Sequence, residues 1–195
     1  MIKFENVSLA LDGKSVLDSI SFSLPASGAF ALTGPSGCGK TTLARIILGL
    51  ERGFTGSVLL PDGLRIAAVF QEDRLLPWLS ARQNVAAVLP DGVSPDEYLR
   101  LVELDTDADK LPCDLSGGMC RRVAIARALG YLVHSNAGLL LLDEPFTGLD
   151  KALRGRVIER ISLLCRERLV LLITHDEAEI ALMGAKKLGL FAARN

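Results

Sequence analysis

Gly34-Pro35-Ser36-Gly37-Cys38-Gly39-Lys40-Thr41-Thr42 fits the pattern G-x-x-x-x-G-K-[ST] at every fixed position. Glycines at this spacing let backbone N–H groups turn inward on a polyphosphate, and a following helix adds the positive end of its dipole. Lys40 can reach the β- and γ-phosphates, and the Thr41 hydroxyl can bind Mg²⁺. A second pair, Asp143-Glu144, follows four consecutive leucines. A carboxylate in the place of Asp143 can hold a Mg²⁺ shell, and Glu144 can take a proton from an attacking water. Each motif has a plainer alternative. The first could be a glycine-rich turn before an ordinary helix, and the second a solvated turn or helix cap.

These residues need elements to hold them. Ala29-Phe30-Ala31-Leu32 predicts a strand entering the phosphate-binding stretch, and Leu43–Leu48 predicts a helix leaving it. Residues 2–9 and 15–24 alternate apolar with polar, the period of strands with one wet face, and Asp12-Gly13 between them predicts a hairpin turn. With Ser57–Leu60 they form an antiparallel sheet beside the nucleotide-binding core. Ile66–Phe70, Leu139–Leu142 and Leu169–Ile173 are continuous apolar runs, which suit buried parallel strands. Leu188–Phe191 reads as an edge strand. Residues 81–111 read as mainly helical, with Ser94 and Glu97 at capping-box spacing for a helix through Leu99 to Leu104. Further helices are expected at Cys120–Leu129 and roughly Lys151–Glu167. Strands alternating with helices imply an α/β class with a mostly parallel core sheet.

Bulk properties narrow the classes. The chain has 195 residues, enough for a sizeable core, and 49% are hydrophobic but only 5% aromatic, as in aliphatic sheets between helices. A net charge of −1 gives no global attraction to nucleic acid or anionic membranes. The four cysteines lack zinc spacing and disulfide-scaffold density, so they read as reduced thiols of a cytosolic protein. No apolar run reaches membrane-spanning length, and a membrane role would have to come through a partner.

Leu115-Ser116-Gly117-Gly118 ahead of the Asp143-Glu144 strand makes a resemblance specific. With Gly34–Thr42, Gln71, Gly148-Leu149-Asp150 and His175 in the same order, the chain resembles the ATP-binding cassette (ABC) ATPases over nearly its whole length. The resemblance implies a P-loop NTPase fold with an antiparallel β subdomain and a short helical subdomain at roughly 75–135, within one domain over 1–195. It implies ATP and Mg²⁺ as cofactors. Two copies would pack head to tail, each ATP lying between Gly34–Thr42 of one copy and Ser116, Gly117 and Gly118 of the other. Thr41, Gln71 and Asp143 would hold the metal. Glu144, His175 and Gln71 would serve hydrolysis, and Asp150 would meet the second copy. Two positions depart from the family: Leu11 stands where an aromatic usually stacks on adenine, and Met119 replaces the usual Gln of the signature.

Arg74-Leu75-Leu76-Pro77-Trp78-Leu79 lies where transport cassettes of the family form a groove for the permease, and the phrase resembles importers for nitrate, sulfonates, taurine and thiamine precursors. That likeness implies docking of separate permease subunits near Leu75, Leu76 and Trp78, and a solute-binding protein acting indirectly. It places the chain in the cytoplasm, peripheral on the inner face of the membrane, with no nucleic-acid partner. The alternative is a non-transport cassette of the DNA-repair or translation-factor type, which usually carries long insertions.

Overall fold

The computed structural model describes residues 1–189. β1 (Ile2–Leu11) and β2 (Lys14–Leu24) pair antiparallel around Asp12 and Gly13. Both turn residues have positive φ, 49° and 75°, the twist-matched geometry of a two-residue hairpin. β4 (Thr55–Leu59) joins the other edge of β1, so the small sheet runs β2-β1-β4. The alternation of the sequence is realised: Ile2, Phe4, Val7 and Leu9 are buried, while Glu5, Ser8 and Ala10 are more accessible.

β3 (Gly28–Thr33), β5 (Ile66–Val69), β6 (Leu139–Asp143), β7 (Leu169–Ile173) and β8 (Lys186–Gly189) form a parallel sheet in the order β5-β6-β7-β3-β8. β8 is the expected edge strand. Leu190 and Phe191, expected to continue it, lie outside the described residues. β6 and β7 are buried at every position. Their leucines divide by parity. Leu139, Leu141, Leu169 and Leu171 join the core beneath the antiparallel sheet and α1 (Lys40–Ile47). Leu140, Leu142, Val170 and Leu172 join the core beneath the remaining helices. A strand covered on both faces loses the polar half of its pattern but keeps its two-residue geometry.

The second layer differs from expectation between residues 81 and 111. Only α2 (Ala81–Ala86) and α3 (Asp96–Leu101) are α-helical there, followed by 3-10 turns at Asp105–Asp107 and Pro112–Asp114. The capping box forms at Ser80 and Gln83, each side chain bonded to the other's backbone N–H. It does not form at Ser94 and Glu97. Pro95 occupies the cap position there, and the Ser94 hydroxyl accepts from Asp96 N instead. α3 ends at Leu101, short of Leu104, and Glu103 beyond it has φ 55°. α4 (Gly117–His134) extends past both ends of its expected range, and its earlier start follows from Ser116, which caps it by accepting from Met119 N at 3.3 Å. α5 (Lys151–Leu164) stops before Glu167, and α6 (Glu177–Met183) ends at Gly184 in the left-handed conformation.

Candidate functional site

The carboxyl ends of β3, β5, β6 and β7 converge, the place where parallel α/β sheets bind ligands. β3 runs into the Gly34–Gly39 loop. Gly39 has φ 92°, and a Cβ there would lie 2.6 Å from Leu17 Cδ2 and 2.9 Å from the Val16 carbonyl oxygen. Only glycine fits between α1 and the antiparallel sheet. No side chain caps α1, so its first-turn N–H groups remain available to an anion. Lys40 Nζ folds back over the loop and donates to the carbonyls of Gly34 and Pro35, each at 2.9 Å. The Cys38 side chain is buried in the core, so its place in the loop is structural.

A cavity of about 260 Å³ opens beside this loop, lined by Lys40, Thr41, Gln71, Asp143 and Glu144 among others. Thr41 Oγ1 donates to Asp143 Oδ2 at 3.0 Å. Asp143 is buried, and that burial pushes its carboxyl above the usual range, with the Glu144 charge adding to the rise and Thr41 and Lys40 opposing it. Glu144 sits at φ 47°, a strained conformation for a side-chain-bearing residue, and its N–H is held by the Ile173 carbonyl at 2.9 Å. His175 Nδ1 lies 3.0 Å from Glu144 Oε1, and this bond raises the histidine pKa. The imidazole is otherwise 84% exposed.

A hydroxyl, a carboxylate and an amide on Thr41, Asp143 and Gln71 are hard oxygen donors of the kind Mg²⁺ takes. Among the described residues no group of three or more His, Cys, Asp or Glu side chains could hold a metal by itself. The set therefore fits an ion that draws most of its shell from water and phosphate, as Mg²⁺ does in nucleotide sites.

Ser116, Gly117 and Gly118 do not line this cavity. They form a separate tip at the start of α4, with Ser116 and Gly117 exposed. Gly118 has an intrachain reason of its own: a Cβ there would meet the Gly148 carbonyl oxygen at 2.6 Å. Met119 is half-buried against the helical core. Asp150 is exposed, but its carboxylate caps α5, accepting from Ala152 N and Leu153 N at 3.0 Å each. Leu11 is exposed beside the hairpin turn, and Val16, not Leu11, lines the cavity.

The segment after Gln71 is held by side chains that sequence reasoning did not single out. Arg121, buried on α4, donates to the carbonyls of Phe70 and Gln71 and pairs with Asp73. Arg127 donates to those of Asp73 and Arg74, each at 2.9 Å. Two guanidinium groups from the helix that starts at Ser116 thus hold four carbonyls of a segment without secondary structure. Asn84, fully buried, bonds Leu76 through both its N–H and its carbonyl, and also the carbonyls of Leu79 and Ser80. The expected docking residues are thereby split. Leu75 packs against the helical core, whereas Leu76 and Trp78 face outward, Trp78 at 70% exposure. The repeated arginines of α4 were visible in the sequence. Nothing local distinguishes a buried carbonyl clamp from a solvated helix face.

A family model described as ABC transporter matches residues 17–147. An aliphatic sulfonates import ATP-binding protein, SsuB 1 of Pseudomonas syringae pv. syringae, is 43% identical over 175 residues, covering 87% of this chain and 72% of the relative. Its Bacillus cereus counterpart is 38% identical over 192 residues, covering 88% and 74%. A bicarbonate transport ATP-binding protein, CmpC of Synechococcus elongatus, is 41% identical over 78% of this chain but only 25% of its own length. Among solved structures, the dimeric, post-hydrolysis ATP-binding cassette MJ0796 bound to ADP and Pi superposes with a TM-score of 0.84 at 26% identity, covering 100% and 97% of the two chains. A bacterial Atm1-family ABC exporter with ATP bound gives 0.85 at 26% identity, covering 99% of this chain and 38% of that one.

Proposed function

This chain belongs to the ABC transporter family, and from that premise we propose how it drives a membrane permease as the ATP-hydrolysing subunit of an importer. The observation that carries the proposal is the convergence of the Thr41–Asp143 pair and of Glu144, whose carboxylate is bonded to His175, on one cavity beside an uncapped helix start and Lys40. In this reading the triphosphate lies along the Gly34–Thr42 backbone, and Lys40 exchanges its two loop carbonyls for β- and γ-phosphate oxygens. Thr41, Gln71 and Asp143 would hold Mg²⁺, which would supply charge neutralisation at the phosphate oxygens. Glu144 accepts the proton of the attacking water, and His175 keeps that carboxylate and the γ-phosphate in line.

The tip Ser116-Gly117-Gly118, exposed at Ser116 and Gly117, lies outside the cavity it would serve, which supports a head-to-tail pair of copies in which each tip closes the other's nucleotide site. The dimeric form of the related cassette supports the same arrangement. Residues 75–135 act as a helical subdomain that carries this tip. Leu76 and Trp78 dock the permease, with Leu75 as their anchor in the core. No helix of the described residues is long and apolar enough to cross a membrane. The import ATP-binding names of the relatives support membrane attachment through that permease. Relatives named for aliphatic sulfonates and bicarbonate support a small anionic solute, delivered by a separate binding protein. An exposed Trp78 on a tightly held segment favours transport over a role in repair or translation.

The test is phosphate release from MgATP by the purified chain and by Glu144→Gln. The variant should bind ATP, cease turnover and elute as a dimer from a sizing column. Undiminished hydrolysis would remove Glu144 from the role of base.

A further inference from the structure

Behind His175 lies a polar cluster that the hydrolytic reading does not use. Arg154 of α5 sends one nitrogen, Nη1, to Asp176 Oδ2 at 2.6 Å and to Glu179 Oε1 at 3.2 Å. The other oxygen of Glu179 accepts from the Thr174 hydroxyl at 2.6 Å, and that hydroxyl accepts from Asp176 N at 3.1 Å. Thr174 and Glu179 are 1% and 5% exposed. Both neighbours of His175 in the chain are therefore tied to one buried carboxylate and one guanidinium. Among the described residues the imidazole itself has a single side-chain hydrogen-bond partner, Glu144. Its position depends on the backbone between Thr174 and Asp176.

Helix capping does not account for this cluster. Asp176 Oδ1 already caps α6 by accepting from Ala178 N at 2.8 Å. Burying Glu179 is costly and raises its pKa, and buried Arg154 Nε has no partner among the described residues. Apolar residues of similar volume would serve folding as well or better. We propose that Arg154 and Glu179 are positioning residues for hydrolysis, fixing the Thr174–Asp176 backbone so that His175 stays against Glu144. The proposal rests on the reading of Glu144 and His175 as the hydrolytic pair.

Steady-state hydrolysis and binding of a fluorescent ATP analogue should be measured for the wild type, Arg154→Lys, Thr174→Val and the double variant Arg154→Met/Glu179→Leu, beside their melting curves. The double variant replaces the ion pair by apolar groups, so its fold should survive. We expect kcat to fall about tenfold or more in it and in Thr174→Val, because small displacements of catalytic groups have costs of that order. KM and analogue affinity should stay within about twofold, and Arg154→Lys should retain most of the rate. Wild-type kcat in the folded double variant overturns the proposal. So does a parallel loss of rate and binding, which marks a merely structural cluster. If the double variant does not fold, Thr174→Val decides by the same criteria. A wild-type chain that binds the analogue without hydrolysing ATP overturns the hydrolytic reading and this proposal together, whereas wild-type kcat in the double variant and in Thr174→Val, beside an active wild type, overturns this proposal alone.

Discussion

Thr41 and Asp143 stand 102 positions apart in the chain, yet the exposed Thr41 reaches the buried Asp143 carboxylate, its hydroxyl donating at 3.0 Å. The raised pKa of Asp143 means that its ionised form costs stability at neutral pH, a cost relieved as pH falls through the folded-state value. Asp143→Asn keeps an acceptor for Thr41 and sheds the desolvated charge. Its unfolding free energy should match or exceed that of wild type, by up to about 1 kcal/mol. MgATP hydrolysis should fall about a hundredfold or more, and chelating Mg²⁺ from the wild type should stop turnover likewise. Thermal unfolding and phosphate release measure the two sides. A destabilised Asn variant would contradict the desolvation account.

Gly118 touches the loop that follows Glu144. A methyl group there must displace the Gly148 carbonyl, 2.6 Å from its ideal position. Gly118→Ala should lower stability by about 1–3 kcal/mol in urea unfolding, the range for overpacking a closed contact. Gly117→Ala has open space around its added carbon and should unfold close to wild type. Equal stabilities for the two would remove the contact with Gly148 as the reason for a glycine at 118.

Trp78 is 70% exposed at the end of a segment whose base is held by Arg121, Arg127 and Asn84. Trp78→Ala should leave basal hydrolysis within about twofold, since nothing in the cavity depends on the indole, while reducing co-purification with the permease. Leu75→Ala behaves differently, because Leu75 packs inward. It should destabilise the cassette by about 2 kcal/mol, below the cost at a fully buried site.

Glu103 accepts from Arg156 through both carboxylate oxygens, at 2.7 and 2.8 Å, and Arg160 approaches it at 3.0 Å. The Arg156 bonds foremost bring its carboxyl from 4.5 down to about 2. A depressed acid contributes stability above its unfolded value and loses it as pH falls through the folded one. The advantage of wild type over Glu103→Gln should thus be full above about pH 4.5 and vanish towards pH 2. Both partners are partly exposed, so the difference at neutral pH should stay below about 1 kcal/mol. Chemical denaturation across that pH range measures it.

What sequence alone determined is what depends on near neighbours. Gly34–Thr42 between a strand and a helix, the hairpin at Asp12-Gly13, and Asp143-Glu144 at the end of four leucines are each set by steric and hydrogen-bonding rules spanning a few residues. The parallel core followed from apolar runs, since a strand covered on both faces leaves little choice of residue. Local signals failed where two were equal. Ser80–Gln83 and Ser94–Glu97 share the same spacing, but Pro95 and the packing around it allow the box only at the first.

Only the tertiary structure decided which charges face inward. Arg121, Arg127 and Arg154 resemble surface arginines in the chain and become buried or half-buried clamps through partners in the segment after β5, in the loop after β7 and in α6. It likewise turned Leu75 inward and Trp78 outward within one short phrase. The physical reason is range. Turns and strand periods arise within a few bonds, whereas the worth of a buried charge depends on carbonyls and carboxylates that only folding brings within 3 Å or so of it.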